Sequence, residues 1–325
     1  MIRVGRSAVR TDPGRKRRGN EDAYVVKPPL FAIADGMGGA QAGEVASALA
    51  ADALRDLPEG AGAGRVIALI QEANRRVHDR ASTDASTSGM GTTITAAIVE
   101  DDGTITFGHV GDSRAYLLRD DRLEQITNDH SLVAELVRRG ELSPAEAEVH
   151  PQRSVITRAL GTDPDIDVDT FAVEPQPDDL YLICSDGLSD MVDGGDIEVI
   201  LRTHRNNLDE AARALIQAAN RAGGEDNITA VLFETVGENE PDETTREYQD
   251  APKIDDTLHP EDHVAPPAPA PAADDTMVVR VEQLTAEEEA EEEFEAGLGR
   301  RMLALAVIIA LCVLIVVLVW WGLAR

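Results

Sequence analysis

Apolar and polar residues in the first 236 positions alternate with two distinct periods. FAIADG (31–36) is a short apolar strand closed by Asp-Gly. GEVASALAADALRDL (43–57) and GRVIALIQEANRRVHDRA (64–81) repeat apolar residues every three or four positions and predict two helices. TTITAAIVEDDGTITFGHVGD (92–112) predicts two strands about an Asp102-Gly103 turn, and RAYLLRDDRLEQIT (114–127) a second hairpin turning at Asp120-Asp121. DLYLICSDG (179–187) is another strand ended by Asp-Gly. DIEVILR and LDEAARALIQAANRAG predict helices, and NITAVLFE (227–234) a closing strand. Consecutive hairpins mean antiparallel sheet. Helices in pairs at two places mean layers over it: an α+β fold with the helices outside.

The pattern changes after residue 236. Residues 237–299 contain APPAPAPAA and EEEAEEEFEA, with few large apolar side chains, and read as a disordered tether. A flexible chain of that length has a typical end-to-end distance of about 45 Å. Residues 300–325 read as a single transmembrane helix with short flanks. Met302–Leu323 is free of charge, and at 1.5 Å per residue it covers about 33 Å, enough for a bilayer core. A buried core helix is the alternative, but no face of the segment is polar. Trp320 and Trp321 suit the interfacial belt, and Arg300 and Arg301 on the near side suit a cytoplasmic flank. The opening MIRVGRSAVR has no apolar core run, so no signal peptide is expected, and the domain at 1–236 is expected on the cytoplasmic side of the cell membrane.

Composition narrows the function classes. The chain has 325 residues, 43% hydrophobic and 28% charged, which is ordinary for a globular protein. Its net charge of −30 and 3% aromatic content disfavour nucleic acid as a partner. The tether holds twenty acidic and three basic residues, −17 of that total, so the domain itself is only mildly acidic. Cys184 and Cys312 lie far apart in apolar runs, which argues against a disulfide scaffold.

The informative feature is where the carboxylates fall. Asp35 and Asp186 end apolar strands, each followed by glycine; Asp112 follows TFGHVG; Asp226 precedes NITAVLF; Glu21 and Asp22 precede the first apolar strand. Strands of one sandwich share their ends, so these groups are expected to converge on one edge. Uncompensated they would repel one another. Oxygen-only ligation points to a hard metal, Mg²⁺ or Mn²⁺, two ions being expected. Gly36, lacking a Cβ, is placed to bring its carbonyl to the metal. For any one Asp-Gly, plain turn chemistry is the competing reading.

The ordered series resembles the metal-dependent serine/threonine protein phosphatases of the PPM, or type 2C, family. It runs TDPGRKRRGNEDA, FAIADGMGGAQAGEVAS, GMGTTITAAIV, GHVGDSRAYLL, ITNDHSLV, HPQRSVITRALG, LICSDGLSD and GGEDNITAVL, and covers about residues 5–236. The resemblance implies a four-layer α-β-β-α sandwich of two antiparallel sheets. It implies Asp22, Asp35, the Gly36 carbonyl, Asp186 and Asp226 as ligands of a two-metal centre. It also implies Glu21 orienting water, Arg17 clamping the substrate phosphate, and Asp112 with Asp190 holding a third, weaker ion as in bacterial members. The implied activity is hydrolysis of phosphoserine and phosphothreonine in proteins by a metal-activated water, counteracting bacterial Ser/Thr kinases at the membrane. Arg15, Lys16 and Arg18 read as a solvated or membrane-touching patch around Arg17.

Met37 stands where many eukaryotic members carry a histidine, so the proton donor to the leaving group is unassigned; His109, His130 and His150 read as structural. Cys184 is followed six positions later by Asp190 rather than arginine, which excludes a cysteine phosphatase. Residues 128–160 are polar, helical and irregular, in the place of a mobile flap that is expected to border the site, as in bacterial members. Thr244, Thr245 and Thr276 of the tether sit among acidic residues and are candidates for phosphorylation and for docking a phosphothreonine-reading domain. The competing function is a catalytically silent, membrane-tethered phosphoprotein-binding module; the complete ligand set speaks against it.

Overall fold

The computed structural model describes residues 2–37, 42–56, 60–237 and 277–278. The chain divides into two units, 1–278 and 279–325, and every described residue belongs to the first. The apolar segment 302–323 and the threonines Thr244, Thr245 and Thr276 lie outside the described residues. Among the described residues no helix is long and apolar enough to cross a membrane.

One sheet is ordered β1 (Ile2–Asp12), β12 (Ile228–Gly237), β11 (Leu180–Cys184), β7 (Arg114–Arg119) and β8 (Arg122–Gln125). The other is ordered β10 (Asp169–Val173), β6 (Ile105–Val110), β5 (Ile94–Val99), β3 (Leu30–Met37) and β2 (Asp22–Lys27), with β4 (Gly91–Thr92) beside β3. All these pairings are antiparallel. The hairpin at Asp120-Asp121 forms as expected; both residues take positive φ, 50° and 59°, as a tight two-residue turn requires.

Three cores separate four layers. The aromatic residues of the domain are concentrated between the sheets: Phe31 stacks on Phe233 at 4.2 Å and Tyr181 on Phe233 at 4.9 Å. Helices α1 (Gly43–Leu54) and α2 (Gly62–Thr83) cover the outer face of the β3 sheet. Helices α5 (Asp186–Ser189), α6 (Gly194–Thr203) and α7 (Leu208–Ala222) cover the other. Strand β3 shows why its sequence reads as continuous apolar. Phe31 and Ile33 point into the inter-sheet core, while Leu30, Ala32 and Ala34 point under the helices.

The structure corrects the sequence reading in one respect. Strands β1, β2 and β10 were not expected, and all three are sheet edges, β1 carrying Arg3, Arg6 and Arg10. Segment 128–160, expected to be helical and irregular, contains α3 (Leu132–Arg139), α4 (Pro144–Glu148) and the two-residue β9 (Val155–Ile156). Its beginning is bonded to the sheet by the His130 N–H donating to the Gly111 carbonyl (2.8 Å), and its end by the Leu160 N–H donating to the Thr92 carbonyl (2.9 Å). Met277–Val278 forms β13, parallel to β9.

Candidate metal centre

Antiparallel pairing puts the predicted carboxylates at one edge. The start of β2 lies beside the end of β3, so Asp22 stands directly opposite Asp35. The end of β11 lies beside the start of both β12 and β7, which brings the flanking Asp186, Asp226 and Asp112 to the same rim. Two glycines permit the close approach. A Cβ on Gly36 would fall on the Gly43 carbonyl oxygen and lie 2.6 Å from that of Glu21, and one on Gly187 would fall on the Asn227 carbonyl oxygen.

Asp22 joins the two sheets. Its Oδ2 accepts hydrogen bonds from Ser185 Oγ (2.9 Å) and Thr229 Oγ1 (2.5 Å). Its Oδ1 and the Oδ1 of Asp186 are buried without a hydrogen-bond partner. Asp35 is anchored through its backbone: its N–H donates to Thr93 Oγ1 (3.1 Å) and its carbonyl accepts from Thr92 Oγ1 (2.8 Å).

The charges repel as expected. Burial pushes the Asp22 carboxyl up to about 6, against the hydrogen bonds from Thr229 and Ser185. Burial, and then the charges of Asp22, Asp186, Asp226 and Asp112, hold Asp35 well above the usual carboxylate range. Asp186 is raised in the same way, by burial and then by Asp112, Asp226, Asp190 and Asp22. Asp112 is pushed up to about 7 by burial, with Asp129 and Asp190 adding. Asp190, whose residue surface stays exposed at the rim, is raised by desolvation of its carboxyl, against Arg114 and Arg153.

These groups form one electrostatic cluster. Among the described residues, however, no three of the side chains are drawn tightly enough together to grip an ion as they stand. Asp22 is turned to Ser185 and Thr229, and Asp226 to Arg17. The donor set nonetheless fits hard divalent cations. Half-buried carboxylates of like charge, two with a buried and orphaned oxygen, lack a counter-charge that a cation would supply.

Arg17 and Glu21 flank the cluster. Arg17 Nη2 donates to Asp226 Oδ2 at 2.8 Å, and its side chain remains 32% exposed, open to an anion from solvent. The Glu21 N–H donates to Asn227 Oδ1 (2.8 Å), and its carboxylate lies against Gly43, where a Cβ would strike it. Met37 is buried with Ile156 and Ala159. His109 hydrogen-bonds Thr95 Oγ1 (2.9 Å) and the Asn128 carbonyl (3.1 Å), and burial pushes it down to about 3, so it stays neutral. His130 accepts from the Gly111 N–H at 3.0 Å.

Several residues of the site were not anticipated. Ser185 and Thr229 fix Asp22. Asn227 staples the loop that carries Arg17, donating to the Pro13 and Gly19 carbonyls at 3.0 and 2.9 Å. Asp129 forms a forked ion pair with Arg114 (2.7 and 2.9 Å) beside Asp112. The one available signal was adjacency: Ser185 and Asn227 each neighbour a predicted carboxylate. Gly38 and Gly39 of the second motif lie outside the described residues.

The sequence profile described as Protein phosphatase 2C matches residues 16–138. Over 238 residues the chain is 43% identical to the serine/threonine phosphatase stp of Listeria innocua, covering 69% of this chain and 94% of that protein. This chain belongs to the protein phosphatase 2C family. It is also 41% identical over 237 residues to the serine/threonine protein phosphatase PstP of Mycobacterium tuberculosis, of whose length it covers 45%. A crystal structure of the M. tuberculosis PstP/Ppp superposes with a TM-score of 0.67 at 40% identity, covering 71% of this chain and 98% of that one. A PstP catalytic domain in complex with two manganese ions superposes at 0.65 with 38% identity, covering 73% of this chain and 100% of that one. The family's architecture, two antiparallel sheets with helices, is the one seen here.

Proposed function

We propose that this phosphatase hydrolyses phosphoserine and phosphothreonine in proteins, with Mn²⁺ or Mg²⁺ held by Asp22, Asp35, the Gly36 carbonyl, Asp186 and Asp226. The observation that carries the reading is the meeting of these half-buried, mutually repelling carboxylates beside a partly exposed arginine. When bound, divalent cations neutralise the phosphate dianion and lower the pKa of water to near neutrality.

The chain's own residues supply the positioning. Ser185 and Thr229 occupy Oδ2 of Asp22, which leaves Oδ1 for a cation. Arg17 presents a guanidinium fork to the phosphate oxygens; Asp226 holds it at the rim until substrate arrives. Glu21, fixed through its backbone to Asn227, orients water at the cluster. The departing serine or threonine oxygen takes its proton from water, because Met37 has none to give and His109 is sealed in the core. Asp112 and Asp190, with Asp129 beside them, hold the third and weaker ion.

The test is Mn²⁺-dependent turnover of a phosphothreonine peptide. Activity should vanish in EDTA, and Asp186→Asn should lower it by at least about a thousandfold with the circular dichroism spectrum unchanged. Full activity in that variant would contradict the ligand assignment.

The same proposal sets the domain on the cytoplasmic face of the cell membrane, opposing Ser/Thr kinases there. Its support is the uncharged run Met302–Leu323 with Arg300 and Arg301 before it. Retention in membranes after a carbonate wash checks it; release into the supernatant would refute it. Thr244, Thr245 or Thr276 is proposed as a docking phosphosite. Mass spectrometry showing all three unmodified while the kinase is active would remove that part.

A further inference from the structure

A cleft of about 400 Å³ opens between the end of β1, the loop that follows it and the C-terminal half of α7. Its lining holds Arg10, Arg15, Arg213 and Arg221 against a single acid, Asp12. In a chain of net charge −30 this is an unusual concentration of positive charge. Asp12 is already engaged: its Oδ1 accepts from the Gly14 N–H (2.9 Å) and from Asn220 Nδ2 (3.2 Å). Arg10 pairs with Asp209 at 3.2 Å and Arg213 with Glu210 at 2.6 Å, both at half-exposed positions where such pairs exchange readily with water and ligands. Among the described residues neither the Arg15 nor the Arg221 guanidinium is paired with a carboxylate. Asn220, at the wall, carries a buried amide oxygen with no hydrogen-bond donor.

The cleft adjoins the carboxylate cluster. Arg15 and Arg17 are two positions apart, about 7 Å of chain at most. Thr11, also in the lining, shares a 2.8 Å hydrogen bond with Thr229, whose hydroxyl bonds Asp22.

Resting on the phosphatase reading above, we propose that this cleft is a second phosphate-binding site, for a phosphate dianion next to the one being hydrolysed. Guanidinium groups converging on one cavity match the several oxygens of a tetrahedral dianion. The cleft lies beside the carboxylate cluster, within reach of a second phosphoryl group carried on the same extended segment. The cleft therefore suits a second phosphorylated residue of the same substrate segment, with released inorganic phosphate as the other source of the same group.

The experiment compares the full wild-type chain with Arg213→Ala/Arg221→Ala. Both side chains are exposed on a helix that alanine favours, so the fold is not at stake. In the first arm, inorganic phosphate is titrated calorimetrically into each protein in EDTA, without turnover. Wild type should bind it, and the variant at least roughly tenfold more weakly. In the second arm, with Mn²⁺, kcat/KM is measured for a singly phosphorylated phosphothreonine peptide and for the same peptide with a phosphoserine two to five residues away. Wild type should prefer the doubly phosphorylated peptide by roughly tenfold, the variant should show no preference, and p-nitrophenyl phosphate turnover should be equal in both. Phosphate binding without the peptide preference assigns the site to released phosphate. Equal phosphate binding by the two proteins together with equal peptide preferences overturns the site, as does a variant that loses activity on both peptides alike. No turnover of any substrate by wild type would defeat the phosphatase reading alone, since the calorimetric arm still decides the cleft.

Discussion

Asp22 and Asp35 face each other across the β2–β3 ladder, two half-buried carboxylates at directly opposed positions. Like charges so placed destabilise a sheet. Stability and activity are therefore opposed at this pair. Asp35→Asn removes one charge while keeping the shape. In EDTA at pH 8 it should stabilise the domain by at least about 1 kcal/mol, read from the urea midpoint. The same variant should lose nearly all Mn²⁺-dependent turnover. A variant less stable than wild type in EDTA would mean that the pair is not strained.

Metal should reverse that balance. Wild type should gain thermal stability on addition of Mn²⁺ and lose it again with EDTA, by ligand linkage of about 2.7 kcal/mol at a hundredfold excess over Kd. The gain should be much smaller in Asp35→Asn. Calorimetric melting with and without Mn²⁺ checks both.

Asn227 is predicted to act on substrate binding rather than on the chemical step. It holds Pro13, Gly19 and Glu21 together and so sets the loop that presents Arg17. Asn227→Ala should raise KM for a phosphopeptide roughly tenfold with a smaller fall in kcat. A fall confined to kcat would place the residue elsewhere in the mechanism.

Gly36 leaves no room for a side chain, because Gly43 and Glu21 crowd it with backbone oxygens. Gly36→Ala should cost about 1–3 kcal/mol and weaken Mn²⁺ activation, since the two strand ends must separate. Equilibrium unfolding and a Mn²⁺ titration of activity measure the two effects. Normal values for both would show that the rim is not close-packed.

His109 makes a pH prediction. Its folded value, about 3, lies below the ordinary value of 6.5. Above pH 6.5 the ring is neutral whether the chain is folded or not. Between these values the unfolded chain takes up a proton that the folded one refuses. Stability therefore falls as pH falls, by up to about 1.4 kcal/mol per unit from this group. The raised aspartates work in the opposite sense, so the contribution is isolated by comparison with His109→Gln. The variant should lose less stability than wild type between pH 7 and pH 5, measured by urea unfolding in EDTA.

Much of the architecture was legible along the chain. Central strands such as β3 and β11 are buried on both faces, so they read as apolar runs, and the Asp-Gly pairs that end them marked the rim. The strands that escaped notice, β1, β2 and β10, are edges. Half of each faces solvent or a helix flank, so Arg3, Arg6 and Arg10 are tolerated in β1, and Arg6 is answered by a forked ion pair with Glu234 at 2.6 and 2.8 Å. A polar edge strand carries no apolar signature to detect.

The amino-acid order alone determined which carboxylates belong to strand ends, because turn chemistry and hydrophobic period are local. Which oxygens of those carboxylates are taken and which are left over was decided only by folding. Ser185 and Thr229 reach Asp22 from more than 160 positions away, Asn227 reaches back to the Arg17 loop, and four arginines from two distant segments meet in one cleft. Such contacts depend on two sheets packing face to face, and no local period records which side chains that packing brings within hydrogen-bond distance.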